Sequence, residues 1–397
     1  MKKTRITDLK ATPVAFPDPP LRNSWGVHGE YALRTILQIC TDEGFTGVSE
    51  TYGGEHTTLK EAKQSLIGED PYSLERIKLK VPSPRALAAI EVACLDLIGK
   101  AIGRPVCDII GGKVRNAVPY AAYLFFKYSD EDGPFPEEVS TPDEMVELTR
   151  FLVKRHGFKT LKLKAGVFPP KVEAETLKAL REAFGEEYGL RIDPNGAWSV
   201  ETSIRVIRRL RDLDPEYVED PTDGIEGMAR VRRSVNVPLS TNMCVTNFNH
   251  IPQAVRLHAV DVILSDHHYW GGLTVTKKLA AICGAFNLGL SMHSNSHLGI
   301  SLAAMTHVAC STPNLTYACD THYPWNCHEE DIIQGGPFKF KDGCLEVPKG
   351  PGLGVEIDEE MLRKYAENYQ KAKSKKRNDT AEMQKRRPEW LPLKPRW

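Results

Sequence analysis

Two lysines stand two positions apart in residues 160–166, TLKLKAG, a stretch that otherwise reads as a buried strand. Residues i and i+2 of a strand share a face, so Lys162 and Lys164 point the same way and repel each other. The Lys162 cation disfavours a second positive charge beside it, which predicts a neutral Lys164 that can act as a base. A solvated edge strand with protective lysines is the alternative, and it fits a central strand poorly.

Three oxygen-bearing side chains follow the next three strand-like segments. In LRID and YVE the alternation of faces turns Asp193 and Glu219 inward, and Asn242 takes the inward position after LST. Asp220, next to Glu219, is expected to serve the structure. A single strand-end aspartate is usually a helix cap or turn residue, but three hard oxygen donors on consecutive strands favour Mg²⁺.

A carboxylate and an imidazole come further along, in LSD and SMHSN. We expect Asp266 and His293 on adjacent strands at matching depth, where the carboxylate would fix the tautomer of the imidazole and raise its basicity. A lone structural histidine is the usual alternative. Zinc held by His293 and His297 is weakly supported, because no third ligand is defined. A metal ion between a lysine and an imidazole suits proton removal from carbon next to a carboxylate.

The elements that must position these groups repeat along the chain. From residue 118, eight short apolar segments alternate with amphipathic helical patterns, and the strand-end polar residues recur every 23 to 29 positions. This period predicts an α/β fold, a (β/α)8-type barrel over residues 118–334, with an open doubly wound sheet as the alternative. Residues 1–117 read as an α+β capping domain with a hairpin at 31–52 and a helix from Pro84. Residues 335–397 are expected to return to the cap and to end in a solvated basic tail.

The bulk composition sets limits on function and location. Lysine plus arginine equals aspartate plus glutamate, 52 each, so neither nucleic acid nor an anionic membrane is an expected partner. The nine cysteines are scattered without a CxxC pair, which is typical of a reduced compartment. With no signal-peptide pattern and no apolar run of membrane-spanning length, we expect a cytoplasmic protein.

Seven motifs follow one another along the chain in this order: KLKAG, DPNGAW, EDP, TNM, LSDHHYW, HSNSH and DTH. Together they resemble the enolase superfamily, within its mandelate racemase group, and in particular the acid-sugar dehydratases of that group. The resemblance implies the modified TIM barrel of that superfamily with an N-terminal capping domain. It also implies a small-molecule sugar diacid as partner, with D-glucarate the expected substrate, and a homo-oligomer.

The resemblance assigns a role to each matched residue. It implies Mg²⁺ bound by Asp193, Glu219 and Asn242. Lys164 and His293, the latter oriented by Asp266, would be the acid–base residues, and Lys162 would contact the substrate carboxylate. The remaining substrate contacts would be His28, Tyr123, Asn195, Ser294, Asn295, His322 and Arg377.

The implied reaction removes the proton next to a carboxylate and expels the β-hydroxyl, giving a 2-keto-3-deoxy acid. Three alternatives stay open: an isomerase of the same architecture (a racemase, epimerase or cycloisomerase), a dehydratase of another sugar acid, and a non-catalytic diacid-binding relative. The chain is short near residues 77–84 and 222–230, which leaves the exact sugar acid open, and the short stretch after EDP makes Glu226 a rival metal ligand.

Overall fold

The computed structural model describes residues 4–327 and 329–397. The strands are β1 (Ile6–Pro17), β2 (Arg22–Asn23), β3 (Gly26–Val27), β4 (Tyr31–Thr41), β5 (Thr46–Tyr52), β6 (Ala117–Pro119), β7 (Ala122–Phe125), β8 (Thr160–Lys164), β9 (Gly189–Asp193), β10 (Tyr217–Glu219), β11 (Leu239–Thr241), β12 (Val262–Ser265), β13 (Gly289–Met292) and β14 (Cys344–Glu346).

The α-helices are α1 (Glu55–Leu66), α2 (Leu74–Lys78), α3 (Pro84–Ile102), α4 (Val106–Ile109), α5 (Pro142–His156), α6 (Pro170–Phe184), α7 (Val200–Leu210), α8 (Ile225–Arg232), α9 (Ile251–Leu257), α10 (His267–Trp270), α11 (Leu273–Ala285), α12 (Gly299–Cys310), α13 (Tyr323–Asn326), α14 (Glu359–Lys371) and α15 (Asp379–Arg386). Within the described ranges, no helix is long and apolar enough to span a membrane.

The N-terminal part is an antiparallel sheet, in the order β1-β4-β5, with helix α3 packed on it. The predicted hairpin is confirmed as β4 and β5, and the predicted helix begins at Pro84. The Ser83 hydroxyl accepts a hydrogen bond from the Ala86 amide and caps that helix. Gly47 lets β5 approach α3 closely, because a Cβ there would lie 1.9 Å from the Ala93 carbonyl oxygen.

Seven parallel strands, β7 to β13, form the barrel wall in chain order. Their apolar side chains are buried because helices cover the outside, as the strand–helix alternation predicts. The prediction of an eighth regular strand is wrong. Residues 315–322 instead close the circle through isolated backbone bonds, from the Ala121 amide to the Cys319 carbonyl and from the Asp320 amide to the Met292 carbonyl, both 2.9 Å.

The C-terminal residues return to the rest of the molecule. Strand β14 pairs with β6, α14 packs on β1, and α15 packs on β3. Residues 373–378 and 385–389 are exposed, as the prediction of a solvated tail requires, but α15 docks on the rest of the molecule. The Thr380 hydroxyl donates to the Trp25 carbonyl at 2.9 Å, and the Asn23 amide donates to the Asp379 carboxylate at 2.8 Å. The domain limits at residues 117 and 334 stay predictions.

Candidate active site and metal-binding residues

The register of the parallel strands brings the predicted residues to one level. Lys164 on β8 pairs with Asp193 on β9. Ile192 pairs with Val218 of β10, which places Glu219 beside Asp193. These residues end their strands, so their side chains meet at the carboxyl-terminal end of the barrel, where barrel active sites lie.

A cavity of about 650 Å³ opens at this end of the barrel, between the strands, the segment that contains β2 and β3, and the C-terminal residues. Most of the predicted site residues line it: His28, Tyr123, Lys164, Asn195, Asn242, His293, Ser294, Asn295, His322 and Arg377. Four others, Lys162, Asp193, Glu219 and Asp266, are buried around it.

Lys162 lies fully buried among carboxylates. Its Nζ is 2.5 Å from both Glu219 Oε2 and Asp320 Oδ2, and 3.8 Å from Asp193 Oδ2. Burial opposes its charge, but Asp320 and Glu219 outweigh burial and raise the pKa of Lys162 above its usual value. The side chain does not line the cavity in this structure, so its contact with a substrate carboxylate stays a prediction. Asp320 was missed from the sequence, although it begins the DTH motif.

Lys164 reaches the cavity surface and contacts the first predicted metal ligand. Its Nζ is 2.6 Å from Asp193 Oδ2 and donates to the Tyr123 hydroxyl at 3.2 Å. Burial of Asp193 would raise the pKa of its carboxyl, but Lys164 and Lys162 together hold that pKa below the usual value. The other Asp193 oxygen accepts the Asn195 amide at 2.9 Å. Asp193 is thus ionised and fixed in orientation.

The predicted ligand set fits a divalent cation. Among the described residues, Glu219 Oε1 and Asn242 Oδ1 are buried without a hydrogen-bond partner. Burial, and then the Asp193 charge, raise the pKa of Glu219 well above its usual value, a cost that a bound cation would relieve. Within the part of the chain that the structure describes, Glu219 and Asn242 each offer an unpartnered oxygen, and together with the Asp193 carboxylate they form a set of hard oxygen donors that divalent cations prefer.

Asp220 has the structural role that the sequence predicted. It accepts the Thr241 hydroxyl at 2.5 Å and the backbone amides of Asn242 and Met243 at 2.8 and 3.1 Å. These bonds hold the turn after β11, so Asn242 is presented to the cavity. Glu226, the rival ligand, lies outside the cavity, because it sits exposed on the first turn of α8, where it accepts the Gln253 amide at 2.5 Å.

Asp266 and His293 meet as predicted, with Asp266 Oδ2 3.1 Å from His293 Nδ1. Two further partners were missed from the sequence. Tyr52 donates its hydroxyl to the same oxygen at 3.0 Å, and His268 Nδ1 is 2.9 Å from Asp266 Oδ1. Burial opposes ionisation of Asp266, but His268 and His293 hold its pKa well below the usual value. The LSDHHYW motif contained His268, whereas no local signal marked Tyr52.

A second possible metal group lies behind this pair. Ligand atoms of Asp266, His267 and His268 come within 4.8 Å of one another. However, His268 directs Nδ1 at Asp266 and Nε2 at the Ser301 hydroxyl, each at 2.9 Å. Both ring nitrogens of His268 are therefore engaged, and the oxygen-rich Asp193 set is the better cation site.

Two histidines form part of the cavity wall beside β7. The rings of His28 and His322 are stacked with centroids 6.0 Å apart, and His28 Nδ1 is 3.1 Å from Asp18 Oδ2. Burial, followed by the neighbouring His28, lowers the pKa of His322 well below its usual value. His322 is thus neutral near pH 7.

Arg377 closes the cavity from the C-terminal side. Its Nε and Nη2 donate to the Asp379 carboxylate at 2.7 and 2.6 Å, and its Nη1 donates to Asn295 Oδ1 at 2.6 Å. The guanidinium is therefore held by its own neighbour and orients Asn295. A second cavity of about 730 Å³ adjoins here and is lined in part by Lys373 and Lys376.

Two family profiles cover the chain. Residues 6–111 match "Mandelate racemase / muconate lactonizing enzyme, N-terminal domain", and residues 144–361 match "Enolase C-terminal domain-like". The chain belongs to the mandelate racemase / muconate lactonizing enzyme family of the enolase superfamily, and its fold is the modified TIM barrel of that superfamily with an N-terminal α+β domain.

Similar proteins narrow the class. A protein of Streptomyces coelicolor named "Probable glucarate dehydratase" is 44% identical, with 99% of each chain covered. That alignment spans 437 positions against 397 residues here, so the relative carries residues that this chain lacks. The chain is an enzyme of the dehydratase, or hydro-lyase, type within the superfamily.

Solved structures agree with this class. An enolase of Thermobispora bispora complexed with magnesium and formate is 47% identical, covers 99% of this chain and 100% of its own, and has a TM-score of 0.95. An enolase of Pseudomonas fluorescens with bound magnesium, potassium and tartrate is 43% identical over 100% of both chains, with a TM-score of 0.96. The two structures support a divalent metal in this fold.

Proposed function

We propose that this protein is a Mg²⁺-dependent dehydratase of sugar diacids, with D-glucarate as the first substrate to test. It would remove the proton next to a carboxylate, eliminate the β-hydroxyl and give a 2-keto-3-deoxy diacid. The observation that carries the proposal is that Lys164 and His293 line the same cavity as Asn242, whose Oδ1 has no hydrogen-bond partner among the described residues. The curated relative named as a glucarate dehydratase supports the choice of substrate.

Mg²⁺ would be held by Asp193, Glu219 and Asn242. When bound, the ion supplies positive charge that stabilises negative charge developing on the substrate carboxylate. The buried Lys162 cation lies 2.5 Å from Glu219 Oε2 and adds to the positive potential at the same end of the barrel. Polar groups on the cavity surface, above all Asn195 and Asn295, would bind the hydroxyls of the substrate.

Two side chains, Lys164 and His293, would move protons. Lys164 takes the proton from the carbon next to the carboxylate in one epimer. His293 has Nδ1 turned to Asp266, so Nε2 is the nitrogen available to the substrate. Nε2 takes the proton of the opposite epimer, or donates a proton to the departing β-hydroxyl. The C–H and C–O bonds break, water leaves, and the resulting enol becomes the ketone.

An isomerase of the same architecture is the second candidate. Lys164 and His293 approach the cavity from different strands, β8 and β13, and a base on each side of a carbon can both remove and return its proton. Epimerisation without loss of hydroxyl would then be the main outcome. Elimination is favoured here by the similarity to a dehydratase.

One experiment separates these candidates. The protein is incubated with Mg²⁺ and a panel of mono- and diacid sugars in D₂O, and α-keto acid and deuterium at the α-carbon are measured. Keto acid from D-glucarate supports the proposal. Exchange without keto acid supports the isomerase, keto acid from another acid alone changes the substrate, and the absence of both contradicts catalysis on sugar acids.

Three expectations about partners and location remain predictions. We expect a small-molecule partner with neither nucleic acid nor membrane bound, a homo-oligomer, and a cytoplasmic location. Sedimentation velocity of the purified protein tests the assembly directly, and a single monomer boundary at micromolar concentration would contradict it.

A further inference from the structure

Asp266 receives hydrogen bonds on both carboxylate oxygens. Oδ1 is 2.9 Å from His268 Nδ1 and also accepts the His268 backbone amide at 2.9 Å. Oδ2 is shared between His293 Nδ1 at 3.1 Å and the Tyr52 hydroxyl at 3.0 Å. The carboxylate is 3% exposed, so these contacts, and not water, determine its orientation.

Tyr52 reaches Asp266 from another part of the chain. It is the last residue of β5 in the N-terminal sheet, 214 positions before Asp266. The Tyr52 ring is held by the Arg34 guanidinium, 4.3 Å from the ring centroid, and by the Tyr269 ring, with centroids 4.9 Å apart. Burial, then the Asp266 charge, raise the pKa of Tyr52 well above its usual value, so its hydroxyl stays a donor.

His268 is also tied to strand β5. Its Nε2 is 2.9 Å from the Ser301 hydroxyl at the start of α12. The Ser301 backbone amide in turn donates to the Glu50 carboxylate of β5 at 2.9 Å, and Arg34 donates to Glu50 at 2.9 Å. Tyr52 and His268, which bond Asp266 in addition to His293, are therefore both connected to the N-terminal sheet.

We propose that Tyr52 and His268 are positioning residues for the base His293. By holding the two oxygens of Asp266, they keep His293 Nδ1 engaged and Nε2 directed at the substrate. The inference rests on the proposed function, in that His293 moves a proton. It adds that the N-terminal sheet sets up one of the two acid–base groups, since Tyr52 lies on β5, whereas Lys164 relies on contacts to Asp193 and Tyr123 within the barrel.

Conversion of Tyr52 to phenylalanine tests this with little change in packing. Tyr52→Phe keeps the ring against Arg34 and Tyr269 and removes the hydroxyl. The matched control is Tyr120→Phe, which removes a buried hydroxyl paired with Thr306 Oγ1 at 2.8 Å, away from Asp266. Deuterium exchange at the α-carbon is measured on D-glucarate and on its C5 epimer, and His293→Asn identifies which epimer depends on the imidazole.

We expect Tyr52→Phe to slow proton exchange on one face of the substrate only. Since Tyr52→Phe removes a hydrogen bond to the charged Asp266 carboxylate, it should slow the His293-dependent exchange by about tenfold or more. KM and the Lys164-dependent exchange should remain within about twofold, as for Tyr120→Phe. His268→Phe should give the same selective loss. Equal slowing of both exchanges by Tyr52→Phe, or no slowing of either, would overturn the inference.

A readout without substrate keeps the inference separate from the proposed function. The proton NMR resonance of His293 Nδ1–H, assigned by its disappearance in His293→Asn, should persist in Tyr120→Phe and shift or broaden in Tyr52→Phe. If the wild type exchanges no sugar acid, the proposed function fails, and this comparison still decides the positioning role. An unchanged resonance in Tyr52→Phe would contradict it.

Discussion

Lys164 and Asp193 lie opposite each other on neighbouring strands β8 and β9, with Lys164 Nζ 2.6 Å from Asp193 Oδ2. The candidate base and a candidate metal ligand are thus in direct contact. A cation bound at Asp193 would compete with the lysine for the carboxylate. The chemistry of the site therefore depends on the strand register as much as on residue identity.

Removal of the Asn242 amide should weaken the metal site. Asn242→Ala deletes a buried oxygen that has no hydrogen-bond partner in the described parts of the chain, so Mg²⁺ affinity, measured by calorimetry, should fall about tenfold or more. Lys164→Met removes a cation that contacts Asp193, so it should not weaken Mg²⁺ binding, and it should reduce turnover by about 10²–10⁴-fold, as for loss of an acid–base group. Asn249→Ala, at an exposed position, is the control. Wild-type Mg²⁺ affinity in Asn242→Ala would remove this residue from the ligand set.

Substrate capture should depend on salt. Lys373 and Lys376 are exposed and line the cavity next to the active site, so they should attract a dianionic sugar acid. Reversal of both charges to glutamate should lower kcat/KM several-fold at low ionic strength and flatten its decline with added NaCl. Lys349→Glu, a position 91% exposed on the β14 side, should behave as wild type. A salt response unchanged by the double variant would argue against this route.

The contact between Arg377 and Asp379 should set substrate affinity. Burial would raise the pKa of Asp379, but Arg377 outweighs burial and lowers it to about 2, so the pair is charged throughout the working range. Asp379→Asn loosens the guanidinium that orients Asn295, so KM should rise about fivefold, with a smaller change in kcat. Glu389→Gln is the exposed control. Faster proteolysis within residues 373–397 should accompany the change in KM, and equal kinetics in both variants would contradict the role of the pair.

Glu173 should make stability depend on pH. Burial raises the pKa of its carboxyl to about 7, while its Oε1 accepts the Val167 and Phe168 amides at 2.8 and 3.0 Å. The unfolded carboxyl ionises near its ordinary value, so the folded state binds more protons between that value and 7. The protein should lose roughly 3 kcal/mol from this group as pH rises through that window.

Glu173→Gln removes the titration and keeps an oxygen for the two amides. Urea midpoints at pH 5 and pH 8 should therefore differ less in this variant than in the wild type. Glu175→Gln, 55% exposed on the same helix, is the control and should keep the wild-type difference. The same pH response in both variants would show that Glu173 is already ionised at pH 5.

Local patterns in the sequence were enough to predict which strand residues face the inside of the barrel. Strand alternation placed Lys164, Asp193 and Glu219 inward, because faces alternate with period two whatever the surroundings. Strand alternation gave a wrong prediction for residues 315–322. Their composition resembles that of a strand, but they form isolated backbone hydrogen bonds with their neighbours instead of a continuous β-ladder. Local patterns also gave no sign that α15 docks on the rest of the molecule, since the surface that receives α15 is formed by β3, far away in the chain.

By itself the sequence determined the family, the strand–helix repeat and the residues at the strand ends, because these follow from local spacing and residue type. The tertiary structure decided which distant groups complete the site: Tyr52 on Asp266, Asp320 on Lys162 and Arg377 on Asn295. Each of these contacts joins residues at least 82 positions apart. Such pairs depend on how elements dock, which is set by packing over the whole core and leaves no periodic signal in the chain.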